Sequence, residues 1–94
     1  VSRPPYPLAG RVVVISGGGG GIASRFAGRV AARGARCVLV DIRPDAATRV
    51  AASLPGGRGR HEVRVADLTV RSEVEDLMAG LEEAHGRIDV LANN

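Results

Sequence analysis

At 94 residues the chain holds one domain at most, with room for a modest core. Its 13 basic residues are all arginine, set against 10 acidic ones for a net charge of +3, and they are scattered with only 2% aromatic residues to stack bases, which excludes a focused nucleic-acid groove. With 45% apolar and 24% charged residues the composition is that of a soluble globular protein with a core of Val, Ala, Leu and Ile, and the single Cys37 excludes an internal disulfide and reads as a small buried hydrophobe.

The amino end, VSRPPYPLAG, has no long apolar segment and runs at once into a strand-like stretch. Neither a signal peptide nor a membrane span is predicted, and a cytoplasmic location is expected. Arg11 to Ser16, RVVVIS, is a continuous branched run, the pattern of a central parallel strand buried on both faces. From about Gly21 to Arg33, Ile22, Phe26 and Val30 recur every four positions away from Arg25, Arg29 and Arg33. They predict an amphipathic helix with Gly34 as its stop. ARCVLVDI, 35–42, reads as a second buried strand. PDAATRVAASL, 44–54, reads as a short helix with Pro44 in its first turn and Val50 and Leu54 facing inward.

PGGRGR, 55–60, reads as a surface loop, and HEVRVA, 61–66, alternates enough for a third strand nearer the sheet edge, with His61 on the surface. From about Val70 to His85 a stripe of Val74, Leu77, Met78, Leu81 and Ala84 lies opposite Glu73, Glu75, Asp76, Glu82 and Glu83. Gly86 ends this helix, and His85 reads as a cation at its carboxyl end. RIDVLANN, 87–94, starts a fourth strand in which Asp89 is expected to be structural. Alternating strands and helices imply right-handed crossovers and a parallel sheet. The expected fold class is therefore α/β, a partial doubly wound sheet in the order 3-2-1-4 that stops after strand 4. The abrupt stop at Asn94 leads to the expectation that 1–94 is the amino-terminal half of a longer nucleotide-binding domain, a fragment.

The five glycines Gly17 to Gly21 fall between the first strand and the first helix. At that turn, backbone amides and the positive helix end favour a bound phosphate. A linker would have polar, structureless flanks instead. A phosphate loop of the ATP- or GTP-cleaving type needs a lysine and then Ser or Thr after the last glycine. Ile22 and Ala23 stand there and the chain has no lysine, so that chemistry is excluded. Two registers of a dinucleotide fingerprint fit: G-x-G-x-x-G/A on Gly18, Gly20 and Ala23, or T-G-x-x-x-G-I-G on Ser16, Gly17, Gly21, Ile22 and Ala23, with Ser for Thr and Ala for the last Gly. Asp41 ends the second strand 20 positions after Gly21, close to the roughly 20-residue spacing of an acid that binds a ribose. A carboxylate there accepts hydrogen bonds from ribose hydroxyls and repels a 2′-phosphate, favouring NAD over NADP. Arg43 is a candidate for softening that preference, or a solvated arginine.

With these residues in place, the chain resembles the amino-terminal part of the short-chain dehydrogenase/reductase family over nearly its whole length. LAGRVVVISG is similar to the family's first strand, SGGGGGIA to its T-G-x-x-x-G-I-G, ADLT to the acidic element after the third strand, and IDVLANN to the lead-in to N-N-A-G. The resemblance implies a Rossmann fold and the second register. Gly17 then makes the turn, Gly21 lets the cofactor approach, and Ile22 lies near the nicotinamide half. Gly18, Gly19 and Gly20 fill the variable positions of the cofactor-binding turn. A basic residue at Gly20 or Ile42 would mark NADP preference, so their identity supports NAD again. The resemblance further assigns Asp67 to the adenine amino group, with the Leu68 backbone beside it, and Asn94 to the adenosine ribose. Helix capping is the alternative for Asp67 and Thr69.

The family's hydride transfer uses a Ser, a Tyr-x-x-x-Lys pair and a later Asn, all downstream of N-N-A-G. None lies in these residues, and Tyr6 has Gly10 four positions on, so the segment contributes no catalytic side chain and no metal ligand. What the resemblance implies is an NAD-dependent oxidoreductase that interconverts a small alcohol and ketone, a homo-oligomer in its full-length form. The alternative from another class is a non-catalytic domain holding NAD as a structural or sensory ligand; a flavin or S-adenosylmethionine domain is a third.

Overall fold

The computed structural model describes residues 8–57 and 59–93; Tyr6 and Asn94 lie outside them. The elements run β1 (Val12–Ser16), α1 (Gly21–Ala32), β2 (Arg36–Asp41), α2 (Pro44–Ser53), β3 (Glu62–Val65), α3 (Arg71–His85) and β4 (Val90–Ala92). All strand pairs are parallel, in the order β3-β2-β1-β4, as the alternation of strands and helices predicts.

Side chains of a strand alternate between faces, and the two central strands bury both. Val13 and Ile15 of β1 and Cys37 and Leu39 of β2 pack under α1 and α2, whereas Val12, Val14, Val38 and Val40 pack against Leu77 and Leu81 of α3. That two-sided burial is why the strands read as unbroken apolar runs. Burial also pushes the Cys37 thiol up to about 11, so this cysteine stays a neutral packing group.

Two expectations need correction. The first helix buries Ala23, Ala27, Val30 and Ala31, while Ile22 is 74% and Phe26 37% exposed. Small residues let the helix lie close on β1 and β2, and the larger side chains overhang a cavity shared with Ile15, Ala92 and Asn93. On α2 Val50 and Leu54 do face the core, Leu54 from just past the helix end, beside the buried Ala47 and Ala51.

His61 is not a surface residue: it is buried. Its Nδ1 accepts the Cys37 backbone N–H at 3.0 Å and its Nε2 lies 2.7 Å from the Pro55 carbonyl oxygen. The imidazole thus satisfies a strand amide just before the β2–β3 ladder begins at Val38 and Glu62, where an open amide would be costly to bury.

Gly86 ends α3 in the left-handed conformation (φ 73°), its N–H bonded to the Glu82 carbonyl. His85, in the last turn, pairs with the Glu62 carboxylate. Burial pushes the Glu62 carboxyl up, but hydrogen bonds from Arg64 and His85 outweigh it, and the net shift is downward.

Asp89 stitches β4 to β1. Its Oδ2 accepts the Val12 N–H at 2.8 Å, and its Oδ1 meets Arg87 at 2.6 Å and Arg11 at 3.3 Å. The Arg87 hydrogen bond above all, then the Val12 amide, hold this carboxyl down at about 2.

Candidate functional site at the carboxyl ends of the strands

In an open parallel sheet, ligands bind beyond the carboxyl ends of the strands, where the chain order reverses. Here that point lies between β1 and β4, the two strands on either side of the reversal. The glycine turn leaves β1 at this place. Gly17 has φ 64°, a left-handed conformation that any side chain would strain. Its carbonyl accepts the Gly20 N–H at 2.9 Å, closing the turn.

The first backbone bond of α1 runs from the Ser24 N–H to the Gly20 carbonyl. The amides of Gly21, Ile22 and Ala23 therefore precede the helical ladder and face forward, as the opening amides of a helix do. The helix has no side-chain cap and no acidic residue in its first turn, so neither a capping side chain nor a first-turn carboxylate competes for an anion at this end. A Cβ placed on Gly21 would meet nothing within 4 Å. The space in front of that backbone is open, which suits a cradle for a pyrophosphate.

Gly18 and Gly19, earlier in the turn, are constrained by other elements. A Cβ on Gly18 would stand 2.5 Å from Leu39 Cβ, and one on Gly19 would stand 2.7 Å from Ala46 Cβ. The spacing pattern treats both as variable. Their neighbours belong to β2 and α2, which no local motif reveals.

Asp41, only 7% exposed, closes the far side of the turn. Its Oδ1 accepts the Arg43 N–H at 3.0 Å and its Oδ2 the Gly19 N–H at 2.9 Å. The Arg43 amide first, then the Gly19 amide and the Arg43 charge, hold the carboxyl below its ordinary range against the opposing effect of burial. Asp41 is thus an anion at neutral pH, with acceptor capacity left on both oxygens. The Arg43 guanidinium is 3.9 Å from Oδ1 and largely solvated.

Around this centre the other expected residues take separate places. Ile22 projects from the first turn of α1, exposed. Asp41 pairs in register with Val65, so Asp67 follows two residues beyond the neighbouring strand. Asp67 does not cap α3, whose N-cap is Val70 without a side-chain bond. Instead its Oδ1 accepts the Thr69 N–H at 2.9 Å and the Thr69 hydroxyl at 2.6 Å, and these bonds hold its carboxyl below the ordinary range. Leu68 is exposed beside it and lines an apolar cavity of about 400 Å³ with Val40, Val74, Met78 and Leu91. Asn94 lies outside the described residues.

Asn93, which the motif reading passed over, faces the site. Its Oδ1 is 3.0 Å from the Ser16 hydroxyl, which also lies 3.4 Å from the Ala92 carbonyl. The doubled asparagine in LANN was the available signal. A larger concavity, about 590 Å³, lies at the opposite, amino ends of the strands, lined by Arg36, Arg60, His85 and Arg87. It is remote from the helix amides and from Asp41, which together form the better ligand site. Among the described residues no cluster of His, Cys, Asp or Glu is arranged to hold a metal, and no helix is long and apolar enough to cross a membrane.

Comparison with known proteins agrees with this fold. Meso-2,3-butanediol dehydrogenase of Serratia marcescens is 45% identical over 84 residues, covering 89% of this chain and 33% of that protein. The crystal structure of 3-ketoacyl-(acyl-carrier-protein) reductase from Brucella melitensis complexed with NADH superposes with a TM-score of 0.79 at 31% identity, covering 89% of this chain and 33% of that one. A metagenomic short-chain oxidoreductase in complex with NADP superposes with a TM-score of 0.83 at 31% identity, over 89% of this chain and 38% of that one. The chain spans about a third of the length of curated relatives that it matches. The family model described as short chain dehydrogenase matches residues 11–94, and on that match and this Rossmann-type sheet the chain belongs to the short-chain dehydrogenase family.

Proposed function

We propose that this chain is the cofactor-binding portion of an NAD-dependent oxidoreductase that interconverts a small alcohol and a carbonyl compound. The observation that carries the reading is the ionised Asp41 carboxylate at the end of β2, set against the glycine turn. In the bound state the amides of Gly21, Ile22 and Ala23 receive the pyrophosphate, and Asp41 accepts the adenosine ribose hydroxyls. The same negative charge disfavours a 2′-phosphate, and neither Gly20 nor Ile42 offers a cation to offset it. Asp67 and Leu68 serve the adenine end with Asn94 at the ribose, and Ile22 borders the nicotinamide half.

NAD supplies the hydride acceptor or donor; the chain's own share is orientation and electrostatics. By family resemblance, the groups that move the proton lie downstream of Asn94. The identities of the relatives support the alcohol and carbonyl chemistry, and the 33% share of the butanediol dehydrogenase covered here supports the view that these residues are one part of such an enzyme.

The test is Asp41→Ala in the complete protein, with NADH and NADPH titrated separately. Loss of one charge-assisted acceptor pair should weaken NADH and narrow its advantage over NADPH by about tenfold or more. An unchanged ratio refutes the role of Asp41.

A further inference from the structure

We propose that Gly19 is a positioning residue for nucleotide selection: its amide and its missing side chain together hold the Asp41 carboxylate at the mouth of the site. This rests on the reading of Asp41 given above. Motif spacing leaves Gly19 a free position; the structure does not. Its N–H bonds the Asp41 side chain at Oδ2, as that of Arg43 does at Oδ1.

A side chain at Gly19 has nowhere to go. Its Cβ would stand 2.7 Å from Ala46 Cβ, 3.0 Å from Asp41 Oδ2 and 3.1 Å from the Ala47 nitrogen. The first of these is shorter than carbon atoms tolerate, so some part must shift. The helix resists, because Ala47 and Ala51 of α2 are buried against the sheet. The turn cannot slide toward β2 either. There the Gly18 N–H is bonded to the Val40 carbonyl at 3.0 Å, and a Gly18 Cβ would already meet Leu39 Cβ at 2.5 Å. Strain at position 19 is therefore relieved by lifting its amide off Oδ2 and turning the carboxylate. At Gly20 a Cβ would meet only the Gly17 carbonyl oxygen, at 3.3 Å. The coupling to Asp41 is thus peculiar to Gly19 within the turn.

The experiment uses the complete protein and measures dissociation constants for NADH and NADPH in Gly19→Ala, Gly19→Ala/Ala46→Gly and Asp41→Ala. Gly19→Ala should weaken NADH about tenfold while leaving NADPH nearly unchanged. Removing the opposing methyl in the double variant should restore most of the lost ratio, a rescue that a general loss of stability would not show. Should Gly19→Ala fail to fold, Ala46→Val presses on the same contact from the helix side and should narrow the ratio likewise. A collapsed ratio in Asp41→Ala with an unchanged one in Gly19→Ala overturns the positioning role and leaves Asp41 standing. An unchanged ratio in Asp41→Ala overturns both. Equal weakening of the two cofactors in Gly19→Ala, or no recovery in the double variant, also overturns the positioning role.

Discussion

Asp89 shows how much a single side chain can arrange outside the site. It joins the start of β4 to the start of β1 through one backbone amide and two guanidinium groups. Its carboxyl falls from an ordinary 3.8 to about 2 in the folded chain. A depressed carboxyl binds fewer protons folded than unfolded, so its contribution is complete above the unfolded value and is lost as pH falls through the folded one. Urea midpoints should therefore drop between pH 3.8 and about 2, and Asp89→Asn should flatten that drop. Asp41, Glu62 and Asp67 are shifted in the same direction, so the slope shrinks without vanishing. An identical pH profile in Asp89→Asn would rule the clamp out.

Among the elements, α1 separates what periodicity can and cannot reveal. The helix, its start beside the glycines and its exposed arginines Arg25, Arg29 and Arg33 follow from spacing, and the structure has them. The buried face does not follow, because hydropathy gives weight to Ile22 and Phe26, whereas close approach to the sheet selects Ala23 and Ala27. Ala27→Leu should then cost about 1–3 kcal/mol by overpacking, read as a lower urea midpoint; no change would mean that the helix stands off the sheet.

The central strands were legible for the opposite reason, since burial on both faces writes itself as an unbroken apolar run. At the site, the positions of the glycines and of Asp41 could be read from spacing alone. The tight fit of Gly18 and Gly19 could not, because Leu39 and Ala46 approach from other elements. His61 was misread because its partners, Cys37 and Pro55, lie 24 and 6 residues away, beyond any local pattern.

On the scale of the whole molecule, the sheet is unevenly covered. Helices α1 and α2 pack on one face, and among the described elements α3 alone packs on the other. The two edges differ as well. Strand β3 carries Glu62 and Arg64, paired with each other, which protects an edge from pairing with another chain. Strand β4 is uncharged, with Val90 41% and Leu91 55% exposed. The 94-residue chain by itself should associate as its concentration rises, through β4, and Leu91→Lys should reduce the association in sedimentation experiments. A soluble monomer with a sharp unfolding transition would contradict this.

The ladder registers also imply an order of assembly. Val14 pairs with Val38, 24 residues on, and with Leu91, 77 residues on. Closing the longer loop costs about 1 kcal/mol more chain entropy, so β1 meets β2 before β4. The glycine turn, Asp41 and Ala46 all belong to the early partnership. The half of the site that would grip the phosphates and select the nucleotide can thus take shape while the rest of the chain is still emerging from the ribosome, and the Ser16–Asn93 side is completed last.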